Sequence, residues 1–442
     1  MSDAPTDAEE IFPHERVDRL VGPFQRFMHV ETSGGVVLLA ATATALILAN
    51  SPLAERFLAL WQTTLTIGIG DFQMSHSLKH WISDGLMAVF FFVIGLEVKR
   101  ELVLGELRDL RKATLPIAGA LGGMIAPAGI YLAFQWGEPT ARGWGIPMAT
   151  DIAFVVGCMA VLGSRVPPGL RVMLLSLAIA DDIGAILVIA FGYTDSLAWG
   201  WLFFAFGVVA LLRVLSRIGV RAVSVYVMGG AAVWLGFHES GVHATIAGVI
   251  LGLMTPSTSW IGSERLRNLW RLADSYMHGE RWETAGDRRS VLQTIERTMR
   301  EALSPLERLE NALHPWQSFF IVPLFALVNA GVAFQLSDLA EPVAIAVMLG
   351  LVVGKPLGIV LFAWLAVRLG LGRLPDGVSW PVLLGGGCLA GIGFTMALFI
   401  ANLALPDAAL SAAKVGILVG SLVSAVLGMA LLLRALPART EN

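Results

Sequence analysis

Apolar runs of bilayer length recur down the whole chain and leave it little freedom in what it can fold into. A lipid core holds no water to satisfy backbone polar groups, so an apolar run of about 20 residues must cross it as a helix. Twelve such runs occupy roughly residues 32–50, 80–98, 113–136, 146–162, 170–193, 199–215, 222–237, 242–256, 316–334, 342–367, 380–403 and 411–433. The expected fold is an all-α polytopic membrane protein. Composition agrees: of 442 residues only 15% are charged, against about 25% in a soluble domain. The basic residues form no single patch, which argues against nucleic acid as a partner. Cys158 and Cys388 lie in apolar runs without CxxC spacing and read as small hydrophobes. The N-terminus (DAPTDAEE) is polar and acidic, so no cleavable signal is predicted and the run beginning near Gly34 is expected to remain as a span.

Lys and Arg are retained on the cytoplasmic side of a membrane. With twelve spans, and with Arg171 and Arg213 at the span ends counted with the loops they adjoin, the two tails and the loops in register with them hold 26 Lys and Arg, while the opposite loops hold 3. Both termini are therefore expected in the cytoplasm: a tail over 1–31, one transmembrane domain over 32–434, and a tail over 435–442. The cytoplasmic loop 257–315 carries nine arginines and, in ERLENALHPW, helical spacing. It reads as a charged linker with an amphipathic helix. The outer loop 51–79 contains LTIGIGDFQMS, where Leu65, Ile67 and Ile69 alternate with small or polar residues and Gly70-Asp71 can turn. A short outer β-hairpin is predicted there.

Against this background LAIADDIGAILVIA, 177–190, is anomalous, because Asp181 and Asp182 sit inside an apolar run. A charge at a helix centre costs roughly 2.5 to 3.5 kcal/mol on insertion scales. A helix-helix hydrogen bond needs no more than one Asn or Ser. Counting in from the helix ends at 1.5 Å per residue puts Asp151, Asp181 and Lys355 each roughly 16–18 Å deep. Three acids and one lysine at one level offset each other's desolvation only by clustering. Neighbouring helix positions diverge by about 100°, so one of the two aspartates can pair with Lys355 while the other faces a cavity.

Two spans look broken. The fourth is polar at its middle (IPMATDIAF), and the eleventh carries GGGCLAGIGFT, whose glycines each weaken a helix by up to about 1 kcal/mol. If spans three to five and ten to twelve are inverted copies of a three-helix unit, the interrupted spans hold the same middle place in each, the arrangement that marks an ion site in secondary transporters. Asp151 and Lys355 then have either a structural task, neutralising the broken helix ends, or for Asp151 a direct contact with a cation.

The strings ATDIAF (149–154), ADDIGA (180–185), GKPLG (354–358), SGVHATIAGV (240–249), HPW (314–316), GLEVKRE (95–101) and CLAGIGFTM (388–396) resemble those of the bacterial NhaA sodium/proton antiporters, in the same order, over about residues 26–434. The resemblance implies an inner-membrane exchanger without cofactors that expels Na+ or Li+ and admits more than one H+ per cation. It implies that Asp181 and Asp182 hold cation and protons in turn, with Asp182 the direct ligand and Asp181 the partner of Lys355, and with Thr150 and Asp151 beside them. It implies roles in an ion funnel and pH response for Asp84, Glu97, His243 and Glu310, and a homodimer built through the outer hairpin. Three of the outlying four also have an ordinary reading: Asp84 as a helix cap, Glu97 as a partner of Lys99 or Arg100, His243 as a packing residue. The stretch LERLEN before HPW, with Glu307 and Asn311, departs from the more basic pattern of familiar members.

Two rivals fit less well. GIGD (68–71) matches the GxGD of intramembrane aspartyl proteases, but none of Tyr131, Tyr193, Tyr226 or Tyr276 is followed by Asp, so no enzyme is expected. A sodium-coupled symporter of an organic solute would also use broken helices, yet it has no need of groups that release protons. With Lys355 charged, the set Asp151, Asp181, Asp182 and Lys355 carries two net negative charges. One Na+ or two H+ can then occupy it alternately.

Overall fold

The computed structural model describes residues 31–69, 72–193, 197–220, 223–258 and 302–436, with isolated positions between 259 and 301. The predicted tail 1–31 lies almost wholly outside the described residues, as do most of the tail 435–442, most of the loop 257–315, and the turn Gly70-Asp71.

Helix occupies all twelve predicted segments. The first, α1 (Glu31–Ala49), turns by 113° into α2 (Ala54–Gln62). None of α2 is buried, so it runs along the surface. Strands β1 (Thr64–Ile69) and β2 (Phe72–Ser77) follow and pair antiparallel from Thr64↔Ser77 to Ile69↔Phe72. That register leaves two residues between the strands, the loop length that favours a tight hairpin. Then come α3 (Leu78–Val103), α4 (Leu110–Gln135), a 3-10 segment (Pro139–Met148), α5 (Ile152–Leu162), α6 (Pro168–Gly192), α7 (Trp199–Ile218), α8 (Val223–Ser240) and α9 (Thr245–Met254). After the gap follow α10 (Pro305–Trp316), which runs on as helix to Asn329, α11 (Pro342–Arg368), α12 (Trp380–Ala390), α13 (Phe394–Ala404) and α14 (Asp407–Ala435). Among the described residues seven helical segments are long and apolar enough to cross a bilayer unaided, or nine if each bent pair is one span. Apolar side chains face outward, as on α7, where Phe203 and Ile218 are 70% and 73% exposed. Lipid, not water, suits that surface.

The main core runs through α1, α3–α6 and α10–α14, and a smaller one is shared by α7, α8 and α9. Between apolar helices in lipid the hydrophobic effect gives little drive, so close backbone approach carries the association. Glycine permits it. A Cβ on Gly122 of α4 would fall 2.1 Å from the carbonyl oxygen of Gly358 of α11, and one on Gly358 would fall 2.0 Å from that of Gly122. Likewise a Cβ on Gly248 of α9 would meet the Ala88 carbonyl of α3 at 2.1 Å, and one on Gly252 the Phe92 carbonyl at 2.5 Å.

The eleventh span corrects one expectation. Gly385, Gly386 and Gly387 do not unwind it: they are helical, and the break is confined to Gly391–Gly393, with a bend of 48° between α12 and α13. These three glycines face neighbours, since Cβ atoms there would approach Leu432, Leu170 and Pro356 at 2.8, 3.0 and 3.2 Å. The loss of helix propensity is offset by contact. In α11 a π-type turn over Gly350–Gly354 immediately precedes Lys355 and Pro356. Proline has no N–H to donate and its ring clashes with the carbonyl four residues back, which widens the turn before it. The end of the long charged loop is helical, as predicted for ERLENALHPW: α10 opens with a capping box, in which Ser304 Oγ accepts from the Glu307 N–H at 3.2 Å and the Ser304 N–H donates to Glu307 Oε2 at 2.8 Å. The Ser304 N–H and the Ser304 hydroxyl, which donates to the same Oε2 at 2.8 Å, pull the Glu307 carboxyl below its ordinary value.

Gly358→Ala is expected to lower stability by about 1–3 kcal/mol through overpacking against Gly122. Thermal melting in detergent reads this directly, and an unchanged midpoint would show that the α4–α11 crossing has slack.

Candidate ion-binding site

The fourth and eleventh spans break at the same place in space. After the 3-10 segment the chain extends through Ala149, Thr150 and Asp151 before α5 begins, and the Asp151 N–H donates to the Ile392 carbonyl in the other break at 2.7 Å. Thr150 Oγ1 lies 2.9 Å from the Ala390 carbonyl at the end of α12 and 2.8 Å from Asp181 Oδ2, so its single proton has two acceptors within reach. Backbone freed by breaking two helices is thereby satisfied across the crossing, as a water-poor interior requires.

Asp151 caps two helices at once. Its Oδ1 accepts from the Phe154 N–H of α5 at 3.3 Å, and its Oδ2 accepts from the Thr395 N–H of α13 at 3.1 Å and from the Thr395 hydroxyl. One carboxylate thus answers the positive ends of both half-helices, the dipole-compensating arrangement. Lys355 does the converse: its ammonium donates to the carbonyl of Met148, the last residue of the 3-10 segment, and to Asp181 Oδ2. It is 0% exposed, and Asp181 is 2% exposed. Asp181 Oδ1 is sealed from solvent and accepts nothing.

Asp182 points elsewhere. It is 4% exposed and borders a cavity of about 1290 Å³ that also touches Thr150, Asp151, Thr395 and Glu97. Its lining extends to Leu104, Arg108, Asp109 and Lys112 and to Glu310 and His314 of α10, on the face predicted to be cytoplasmic. There the Arg100 guanidinium donates to Glu310 Oε1 and ties α3 to α10. Burial pushes the Glu310 carboxyl above its ordinary value, while Arg100 and His314 pull it back. That pair therefore strengthens as pH rises and Glu310 ionises.

The outlying residues divide. Glu97 and Glu310 border the cavity, whereas Asp84 and His243 do not. Arg100 pairs with Glu310 instead of Glu97, and Lys99 donates to the Leu253 carbonyl at 2.8 Å. Asp84 caps no helix: Ser77 does so for α3, accepting from the His80 N–H at 3.2 Å, and Asp84 lies inside a π-type turn over Trp81–Leu86. His243 Nε2 bonds the Tyr193 carbonyl at the end of α6, 3.1 Å away. Sequence reasoning missed Thr395, although a hydroxyl residue directly after the glycine break is a signal for a cap at a restarted helix. It also missed Lys414, 6% exposed near the start of α14. It is the fourth residue of the predicted run 411–433, where a lysine can reach the interface.

This geometry joins adjacent carboxylates, a buried ammonium and two broken helices. Comparison with known proteins decides what it belongs to. The family profile described as Na+/H+ antiporter 1 matches residues 25–432. The chain belongs to this NhaA-type family of Na+/H+ antiporters. It is 57% identical to the Na+/H+ antiporter NhaA of Rhodopirellula baltica, over 97% of this chain and 98% of that protein. It is 52% identical to NhaA 2 of Acidiphilium cryptum, over 95% and 94%, and 51% identical to NhaA of Rhizobium meliloti, over 98% and 99%. With its many apolar helices, this antiporter-family chain is a multi-pass membrane protein.

Removing Lys355 should leave the Asp181 carboxylate buried without its counter-charge, a change that typically costs about 3–5 kcal/mol. Lys355→Ala is expected to melt well below the wild type, and Lys355→Ala combined with Asp181→Asn to recover part of the loss. Melting of the double variant at or below that of Lys355→Ala would count against the pairing.

Proposed function

We propose that the chain exchanges Na+ or Li+ for H+ across a bacterial inner membrane, more than one proton per cation, driven by the proton-motive force. The observation that carries this reading is the unequal treatment of two adjacent carboxylates: Asp181 is held by Lys355 and Thr150, while Asp182 is left toward the cavity. Carboxylate oxygens suit a hard cation. A cation entering from the cavity meets Asp182 first, and charge balance is kept if protons leave from Asp182 and from the Asp181–Lys355 pair as it arrives. Asp151 and Thr150 complete the surroundings, with Asp151 already engaged by two helix N-termini. Cation and protons then compete for the same buried charge, and alternating access carries each across in turn. Glu97 and Glu310, which border the cavity, link occupancy to pH. Asp84 and His243, outside the cavity, are weaker members of that response.

The reading includes twelve spans with both termini cytoplasmic, inverted three-helix repeats over spans three to five and ten to twelve, and a homodimer through the β1–β2 hairpin. The lysine and arginine distribution, the meeting of the fourth and eleventh spans at their breaks, and the exposure of the hairpin support these in turn. Electrogenic exchange has an energetic rationale. One net charge moved across 100 mV yields about 2.3 kcal/mol, enough to hold a cation gradient of about fiftyfold at about 1.4 kcal/mol per decade.

Everted vesicles acidified by respiration should alkalinise when Na+ is added, with no organic solute present. Asp182→Asn is expected to abolish the response and Asp181→Asn to reduce it nearly to background. Exchange retained in both variants would sink the assignment of these aspartates, and a response that required an organic solute would favour the symporter.

A further inference from the structure

On the hairpin side of the molecule, outside the cavity, three imidazoles converge from three elements: His76 on β2, His80 in the first turn of α3 and His238 in the last turn of α8. One ligand nitrogen from each lies within 4.8 Å of the others. The carboxylate of Asp84, one turn on from His80, approaches the same group: its Oδ2 is 3.6 Å from His80 Nε2 and 4.0 Å from His238 Nδ1. We propose that His76, His80, His238 and Asp84 form a binding site for a divalent transition-metal ion of the Zn2+ class.

The donor chemistry fits. Imidazole nitrogen suits Zn2+, Cu2+ and Ni2+, and three histidines with one carboxylate fill a four-coordinate shell. A tetrahedral ion with bonds of about 2.0–2.1 Å needs donors about 3.4 Å apart. The present spacing closes to that with side-chain rotations of an ångström or so. His80 Nε2 gives a second, independent pointer: it is sealed from solvent and makes no hydrogen bond. A buried acceptor or donor left unmade costs about 1–3 kcal/mol, and a metal bond would use it. The rings are positioned by packing. His238 stacks on Trp234 with centroids 5.4 Å apart, Trp234 stacks on Trp81, and His76 stacks on His80 at 4.3 Å. All three histidines remain partly exposed, which leaves an ion a way in. An ion held there would fasten the hairpin to α3 and α8, giving Asp84 a task separate from the carboxylate pair at the helix crossing.

The test is Zn2+ titration of the tag-free, full-length protein in metal-free detergent buffer, by calorimetry and by the shift in melting temperature. Wild type is expected to bind one Zn2+ per chain and to melt higher with it. His76→Ala, His80→Ala and His238→Ala should each weaken binding at least tenfold, and the triple variant should lose both binding and shift. Cu2+ should quench the tryptophan fluorescence contributed by Trp81 and Trp234 in wild type and leave it unquenched in the triple variant. If the triple variant does not fold, His76→Ala, on the exposed hairpin, decides alone. Absence of stoichiometric Zn2+ binding by the wild type, or binding of equal strength after these substitutions, would overturn the site and leave the histidines as a stacked packing cluster.

Discussion

Everything at the centre of this protein depends on two helices that are broken and then mended against each other. A helix interrupted in a lipid-immersed bundle exposes N–H and C=O groups that have no water to bond. Here the open ends of one chain segment answer those of the other: the Asp151 N–H with the Ile392 carbonyl, and the Thr150 hydroxyl with the Ala390 carbonyl or Asp181. The residual dipoles are met by charges of opposite sign, Asp151 at the N-terminal ends and Lys355 at the Met148 carbonyl. Remove either charge and the crossing retains an uncompensated end. The polar centre is therefore a single structure, in which Thr150, Asp151 and Lys355 each meet a broken helix end.

That centre can form only because the surrounding helices come unusually close. The α4–α11 crossing at Gly122 and Gly358 brings the backbones into direct contact one turn from Lys355, and a Cβ on Gly123 would lie 3.6 Å from the lysine's Cε. The π-type turn before Lys355 is lined by glycines that admit proline: Cβ atoms on Gly350 and Gly354 would strike Pro147 at 2.6 Å and Pro127 at 2.7 Å. Small residues on α11 thus bring the lysine to the crossing, and prolines on the partner segments fill the space that the glycines leave. Packing and electrostatics are linked there, since a helix held an ångström farther out could not deliver the ammonium to Asp181.

Much of this was legible in the chain. Helix positions followed from the cost of leaving apolar runs and backbone groups unsatisfied, a constraint strong enough to place helix in all twelve segments. The hairpin was legible in the alternation of Leu65, Ile67 and Ile69 before Gly70-Asp71, and the divergence of Asp181 toward Lys355 and Asp182 toward the cavity in the 100° between neighbours. Harder to see were features that depend on what lies opposite. The glycine triplet at 385–387 reads locally as a helix breaker, because its packing partners, Leu170, Pro356 and Leu432, lie far away in sequence. Arg100 sits three residues from Glu97, yet its partner is Glu310, 210 positions on. Thr395 is one polar residue in an apolar stretch until the Asp151 carboxylate stands in front of it. The histidine cluster escaped for the same reason, being divided among three elements.

Adjacency of two carboxylates on a helix also explains why the site needs both. If one aspartate alone served cation and lysine, an arriving ion would have to displace the ammonium from its carboxylate, leaving the lysine without a counter-charge where water is scarce. With two, the lysine has a carboxylate and a backbone carbonyl beside it while the second carboxylate faces the cavity. Their separation around the helix axis keeps Asp182 on the cavity side and Asp181 on the packed side. Charge can therefore change on one face without dismantling the contacts that hold the broken helices together on the other. On the proposed reading the unpartnered Asp181 oxygen must remain near enough to sense an ion at Asp182. Two neighbouring residues on a single helix turn meet that demand; two acids on different helices would lose it whenever those helices moved apart.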